Sequence, residues 1–421
     1  GKDATDHLEA GHALDDFVPA DEVTEIAAEA TAEYRLTDTG NAMRFADDHH
    51  EILRYVHAWR NWLIWTGTHW RQDDVASVQD CVQKTIESMW DEARALHDEE
   101  RSRMLRHTLG TEASHRRSSI LEIAAADRRI RATADILDRG EWLLNVRNGT
   151  IEMADGTLRE HRASDHLTHC IPFDYDPDAT CPGWMDFLVQ VMDGRQELVE
   201  FLQRAVGYTL TGSTREQVFF MLYGTGSNGK STFLEVVRSL FGSLAQNAEF
   251  ETFLHREQES SRNDLARMRG VRLVTASEPD RDRRFSEGLM KAITGGDTIT
   301  ARHLYGKPFD FRPVFKLWLA ANHRPVIRGT DLAIWRRVRL VPFTVTIAES
   351  DRDPDLADRL DFFEHLERFD GAARRDHLVA RALWQWRRIG HVQVGEHQLT
   401  ALEHRRGLDR GVWDPRDKLD R

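Results

Sequence analysis

Apolar residues recur along this chain in two periods, and the change from one to the other divides it. Around Val78, Val82, Ile86 and Met89 they return at helical spacing, so residues 75–138 read as charge-rich amphipathic helices. Just before them, WRNWLIWTGTHWRQ (Trp59 to Gln72) alternates aromatic and polar residues around Thr66-Gly67-Thr68, the pattern of a β-hairpin. Trp62, Trp65 and Trp70 in it suit core packing better than base stacking. From Asn145 the texture shortens: Asn148-Gly149 and Asp155-Gly156 are two turn signals in one small β element. After Pro182-Gly183 the pattern predicts two amphipathic helices separated at Asp193-Gly194. Three short apolar runs follow, at Gln217 to Tyr223, Gly270 to Asp280 and Phe315 to Pro325, each suited to a strand buried on both faces. Beyond Asp351 the chain reads as charged helix, with LVARALWQWRRIG its clearest amphipathic stretch. The expected division is a linker at 1–40, an α-rich domain with small β elements at 41–182, an α/β domain at 183–345 and a helical region at 346–421.

Composition narrows the partners. With 40% hydrophobic and 30% charged residues, the 421-residue chain is globular, not disordered. It has no apolar stretch fit to span a membrane and no signal peptide, so a cytoplasmic protein without a membrane partner is expected. Cys81, Cys170 and Cys181 form no C-x-x-C pair and suggest neither disulfides nor a zinc site. The net charge of −13 argues against nucleic acid until it is divided. Arg262 to Arg339 holds 17 Lys or Arg against 8 Asp or Glu, a local +9 that leaves −22 on the remainder. A basic channel inside an acidic exterior gives this pattern, and so do solvated helix faces.

The chemistry concentrates in QVFFMLYGTGSNGKSTFLEVVRSLFG, an apolar strand, a glycine-rich loop and an amphipathic helix in succession. In the loop, Gly224, Thr225, Gly226, Ser227, Asn228, Gly229, Lys230, Ser231 and Thr232 are the candidate nucleotide-binding residues. Glycines let successive N–H groups point at phosphate oxygens and the helix start adds its positive end. Lys230 would neutralise the β and γ phosphates of ATP, and Ser231 would offer a hydroxyl to Mg²⁺. Downstream, Glu278 ends the second apolar run, where it either polarises the attacking water and helps hold Mg²⁺ or is an ordinary strand-end carboxylate. Ser277 stands where a paired Asp would be expected. Asn322 ends the third run and suits sensing of the γ phosphate. Arg336 and Arg337 are candidates for an arginine finger, or for interface salt bridges. Kinases, transporters and motors share such a loop, so it does not by itself name a function.

In order and spacing, LNVRNGTIEM, TCPGWMDFL, LQRAVGYTLTG, YGTGSNGKST, LARMRGVRLVTASEP, LMKAITGGDTITARHLYGKPFDFRP, KLWLAANHRP and WRRVRLVPF resemble the superfamily 3 helicases. The likeness is to the phage and plasmid primase-helicases related to the poxvirus helicase-primase, and it covers roughly Trp59 to Phe343. The fold it implies is α/β, an AAA+-like P-loop NTPase core with an α-rich N-terminal domain and a helical C-terminal tail. Its implied activity is ATP-dependent unwinding by a homo-oligomer, a hexameric ring, in which Arg336 or Arg337 reaches the neighbour's ATP. In that family a lone Glu often ends the second strand, so Ser277 does not disable the site. TITARHLYGKPFDF is then the pore hairpin, with Lys307 near its tip and Arg302 and His303 close by, gripping single-stranded DNA. Without the family, Gly306-Lys307 also reads as a plain surface turn, which favours a structural role over DNA contact. Lys291 and Asp297 match recurring family positions, Lys291 toward nucleotide or DNA and Asp297 toward fixing the glycine turn. Family members often carry a primase module upstream, which would lie outside this chain. Asp174-Tyr175-Asp176 reads as loop punctuation and the Asp47 to Glu51 cluster as a solvated cap, so no primer synthesis is expected. The alternatives are a ring ATPase that binds or moves DNA without unwinding it, and a small-molecule phosphotransferase.

Overall fold

The computed structural model describes residues 34–179, 181–254, 263–277, 285–302, 308–322, 332–353 and 356. Glu278, His303, Lys307, the expected linker as far as residue 33 and nearly all of the expected helical tail lie outside them. The described residues form two compact units, one of 34–64 with 72–132, the other of 65–71 with those from 133 to 356.

The first unit is built on α1 (Asp38–His49), whose N-terminus is capped by Thr37 accepting from the Gly40 N–H at 3.1 Å. Strand β1 (Leu53–Val56) pairs antiparallel with β2 (Asn61–Trp65). The chain leaves this unit at 65 and returns at 72 through β3 (Trp70–Gln72). Helices α2 (Val78–Ala95), α3 (Asp98–Thr111) and α4 (Ser114–Ala124) follow, and β4 (Arg131–Ala132) adds parallel to β1. The helical stripe read from the sequence is the stripe that packs: Val78, Val82 and Ile86 meet Phe45, Leu53 and Ile120 in one core. Trp62 belongs to that core, edge-on to Phe45 and Tyr55.

In the second unit Trp70 is buried and donates its indole N–H to the Ala163 carbonyl at 2.8 Å. The two turn signals make a three-stranded antiparallel meander of β5 (Leu143–Val146), β6 (Gly149–Glu152) and β7 (Thr157–Arg159). Helices α5 (Pro182–Val191) and α6 (Gln196–Leu210) break at Asp193-Gly194, both at positive φ. Then come β8 (Phe219–Tyr223), α7 (Lys230–Phe241), β9 (Ala245–Asn247), α8 (Asn263–Ala266), β10 (Leu273–Ser277) and α9 (Glu287–Gly295). An antiparallel pair, β11 (Ile299–Ala301) with β12 (Phe309–Phe311), precedes β13 (Lys316–Ala321), α10 (Leu332–Trp335) and β14 (Val338–Pro342).

Five strands form a wholly parallel sheet in the order β14-β8-β13-β10-β9. Parallel sheets are covered on both faces, which is why their strands read as continuous apolar runs. Here Phe220, Leu222 and Trp318 pack in one core with Phe187, Phe233 and Val237, while Phe219, Met221, Leu317 and Leu319 face a second core with Met290 and Ile293. No helix among the described residues is long and apolar enough to cross a membrane.

Candidate functional site

Because the five strands are parallel, their carboxyl ends lie along one edge, where open α/β sheets bind ligands. The register fixes what meets there. Tyr223 pairs with Ala321 on one side and with Pro342 on the other, so Gly224, Asn322 and Phe343 follow on three adjacent strands. Ser277 pairs with Ala320, so β10 ends at the same edge; Glu278, the next residue in sequence, lies outside the described residues.

The loop between β8 and α7 turns through positive φ at Gly224 (155°), Gly226 (62°), Ser227 (48°) and Gly229 (83°). Glycine is required twice for space. A Cβ on Gly224 would sit 1.9 Å from the Phe343 carbonyl oxygen, and one on Gly229 would sit 2.6 Å from Val191 Cγ1. At Gly226 nothing lies within 4 Å, so the middle of the loop opens to solvent, with Thr225 and Ser227 exposed beside it. The free N–H groups of the first turn of α7 begin at Lys230. Ser231 is exposed in that turn and Thr232 is half-buried.

Lys230 is buried, and its ammonium donates to the Gly224 carbonyl at 2.6 Å and to Asn228 Oδ1 at 3.0 Å. Both partners are neutral oxygens, and burial lowers the ammonium below its ordinary pKa. The buried Asn228 amide also donates through Nδ2 to the Phe343 carbonyl at 2.8 Å. Further on, the Ile347 N–H donates to the Ser227 carbonyl at 2.8 Å. The segment after β14 therefore holds the loop at two points. Sequence reading missed this contact, because its acceptors and one donor are backbone groups; the single signal for it was Asn228, a side chain with both a donor and an acceptor inside the loop.

The two arginines differ. Arg336 is exposed, whereas Arg337 is buried and donates from Nε to Thr294 Oγ1 at 3.1 Å and from Nη2 to Gln217 Oε1 at 3.2 Å. Asn322 is exposed at its strand end. Of the hairpin, the stem is described: Thr300 pairs with Asp310 and its hydroxyl donates to the Asp310 carboxylate at 2.6 Å, with Arg302 exposed above it. The Arg269 guanidinium lies 5.7 Å from the ring centre of Phe309 at the stem. At the end of α9 it is the Asp297 N–H, donating to the Ala292 carbonyl at 3.1 Å, that closes the turn expected of its carboxylate. Asp174 is taken by Arg147 at 2.6 and 2.7 Å, and Asp176 accepts from the Asp178 N–H at 2.9 Å. Among the described residues no three His, Cys, Asp or Glu side chains gather as a metal site.

Fold and site together define an α/β protein with a lysine-bearing glycine loop at the carboxyl edge of a parallel sheet. Known proteins resemble this chain over parts of its length. Residues 42–193 match the family described as D5 N terminal like, and residues 222–337 match one described only as a family of unknown function. A protein of Acanthamoeba polyphaga mimivirus named “Putative helicase” is 31% identical over 213 residues, 49% of this chain and 22% of that protein. Another of that name, from Frog virus 3, is 35% identical over 152 residues, 35% of this chain and 16% of its own length. This chain thus aligns with less than a quarter of either relative. The apo C-terminal region of NrS-1 superposes with a TM-score of 0.46 at 8% identity, over 85% of this chain and 72% of that one.

Proposed function

We propose that this chain is the ATP-hydrolysing motor of a phage, plasmid or other mobile-element replication protein, a DNA helicase that works as a ring, a hexamer by family likeness, on single-stranded DNA. The observation that carries the reading is the loop itself: a buried lysine whose hydrogen-bond acceptors among the described residues are two neutral oxygens, in a glycine loop at the carboxyl edge of the sheet. An ammonium buried among neutral oxygens is costly, and a polyphosphate would supply an opposite charge. Gly224 to Thr232 would hold the phosphates and the exposed Ser231 hydroxyl would reach Mg²⁺, which neutralises phosphate charge when bound. Glu278 would orient the attacking water as general base, with Asn322 beside it sensing the γ phosphate.

Of the arginine pair, the exposed Arg336 is the one free to serve a neighbouring subunit's site, while Arg337 is committed to Thr294 and Gln217 within its own chain. Arg302 at the described end of the hairpin stem, together with His303 and Lys307, would contact the DNA backbone, a contact that is independent of sequence.

Mixing inactive subunits tests this. Lys230→Ala and Arg336→Ala proteins should each lose ATPase activity by about 10²-fold or more, the scale of a lost transition-state contact. Mixed together they should recover a measurable part of it, because each supplies the half-site that the other lacks. Absence of recovery while both variants still assemble would remove the shared site. A strand-displacement assay then separates unwinding from movement on DNA without strand separation.

A further inference from the structure

Beyond its place in the phosphate loop, Asn228 occupies a position with two ends. Its Oδ1 accepts from Lys230 Nζ at 3.0 Å, and its Nδ2 donates to the Phe343 carbonyl at 2.8 Å. The side chain is buried, so neither end has water as a substitute partner. Phe343 in turn donates its N–H to Tyr223 at 2.8 Å, which continues the β14–β8 ladder by one bond past its last paired residues, Pro342 and Tyr223. Four residues on, Ile347 returns to the loop at Ser227 at 2.8 Å. Thr344, between them, accepts from Arg195 Nη2 at 3.3 Å, so the amino end of α6 touches the same segment.

Lys230 has two neutral acceptors, and phosphate oxygens would outcompete both, because charge-assisted hydrogen bonds are roughly twice as strong as neutral ones. When the ammonium turns to phosphate, Asn228 Oδ1 loses its donor while Nδ2 still faces the Phe343 carbonyl. We infer that Asn228 is a positioning residue that couples the occupancy of the phosphate loop to the segment Phe343–Ile347, making that segment a nucleotide-responsive wall of the site. This rests on the phosphate-binding reading of the loop. It assigns to an uncharged loop residue a task separate from phosphate contact: holding the strap that follows the edge strand β14.

Hydrogen exchange of the backbone amides from 339 to 353 tests the coupling in the full chain, with and without a non-hydrolysable ATP analogue. A fluorescent ATP analogue reports occupancy in parallel. In the wild type, binding takes the donor from Asn228 Oδ1 and loosens its hold on Phe343, so exchange at Phe343 and Ile347 should speed up about fivefold, the factor associated with one neutral hydrogen bond. Asn228→Ala, compared at a nucleotide concentration that the fluorescent analogue shows to saturate it, should have that response reduced to less than about twofold. Asn228→Asp keeps the size and the acceptor for Lys230 and lacks the donor for Phe343, so it should lose the response equally, and it serves where the alanine variant does not fold. A full response in either folded variant, or a wild type that binds nucleotide without faster exchange at 343–347, overturns the coupling and leaves the phosphate loop standing. A wild type that binds no nucleotide overturns both.

Discussion

Adjacent arginines on the turn before β14 meet opposite environments, and the difference is measurable without any knowledge of activity. Arg337 lies inside the second unit with a hydroxyl and an amide oxygen as its partners. Truncation strands both and removes two charge-assisted hydrogen bonds. Arg337→Ala should therefore cost about 2–3 kcal/mol of stability, seen as a lower urea midpoint. Arg336→Ala, on an exposed side chain, should stay within about 0.5 kcal/mol of the wild type. Equal midpoints for the two variants would mean that the buried arrangement is wrong. An inactive but stable Arg336 variant is the one whose loss informs on catalysis; an inactive Arg337 variant says little. The sequence offered both arginines on equal terms, since two neighbours in a turn carry no periodicity that says which one points inward.

Among the elements, the loop after β8 carries its own internal control. Gly224 and Gly226 both adopt positive φ, yet only Gly224 has a backbone oxygen where a Cβ would stand. Gly226→Ala should cost only about 1 kcal/mol for its left-handed backbone. Gly224→Ala must push the Phe343 carbonyl away and should cost about 3 kcal/mol or more, measured by thermal unfolding. The elements themselves were legible where packing obeys local rules. The three apolar runs became β8, β10 and β13 because both faces of a parallel sheet are covered, although each strand begins later than its run. The paired turn signals became the β5–β7 meander. What could not be read were cations at the amino ends of strands. Lys316, inside the third apolar run, is fully buried, donating to the Thr211 carbonyl and to the Val314 carbonyl at 3.3 Å, with its ammonium 4.6 Å from the centre of the Tyr208 ring. Arg272 donates to the carbonyls of Leu210, Gly140 and Leu143, and burial pushes its pKa down to about 10. Those carbonyls come from distant parts of the chain, and no side-chain pattern announces a backbone acceptor.

Over the whole molecule, several histidines are held neutral by burial. Desolvation lowers the pKa of His49, His69, His107 and His169. For His169 burial is the largest cause; the Arg272 charge adds to it, while Asp138 and a hydrogen bond to the Ser243 backbone oppose it. A histidine with a depressed folded pKa leaves stability unaffected above the unfolded value, near 6.5, and weakens the fold as pH falls below it, because the unfolded chain takes up the proton first. Stability should thus decline as pH falls below about 6.5, and His169→Gln should make that decline shallower in urea titrations compared at neutral and acid pH. An undiminished decline in the variant would exclude His169 as a contributor. The order of strands has a different consequence, for synthesis. β8 lies between β13 and β14, whose pairing residues follow it in sequence by about a hundred positions. Contacts so distant are slow to close, and a chain still on the ribosome lacks them altogether. The glycine loop is translated well before the strands that seat it, so a nascent chain stopped short of Phe343 would carry the nucleotide motif complete in sequence and without its neighbours in space.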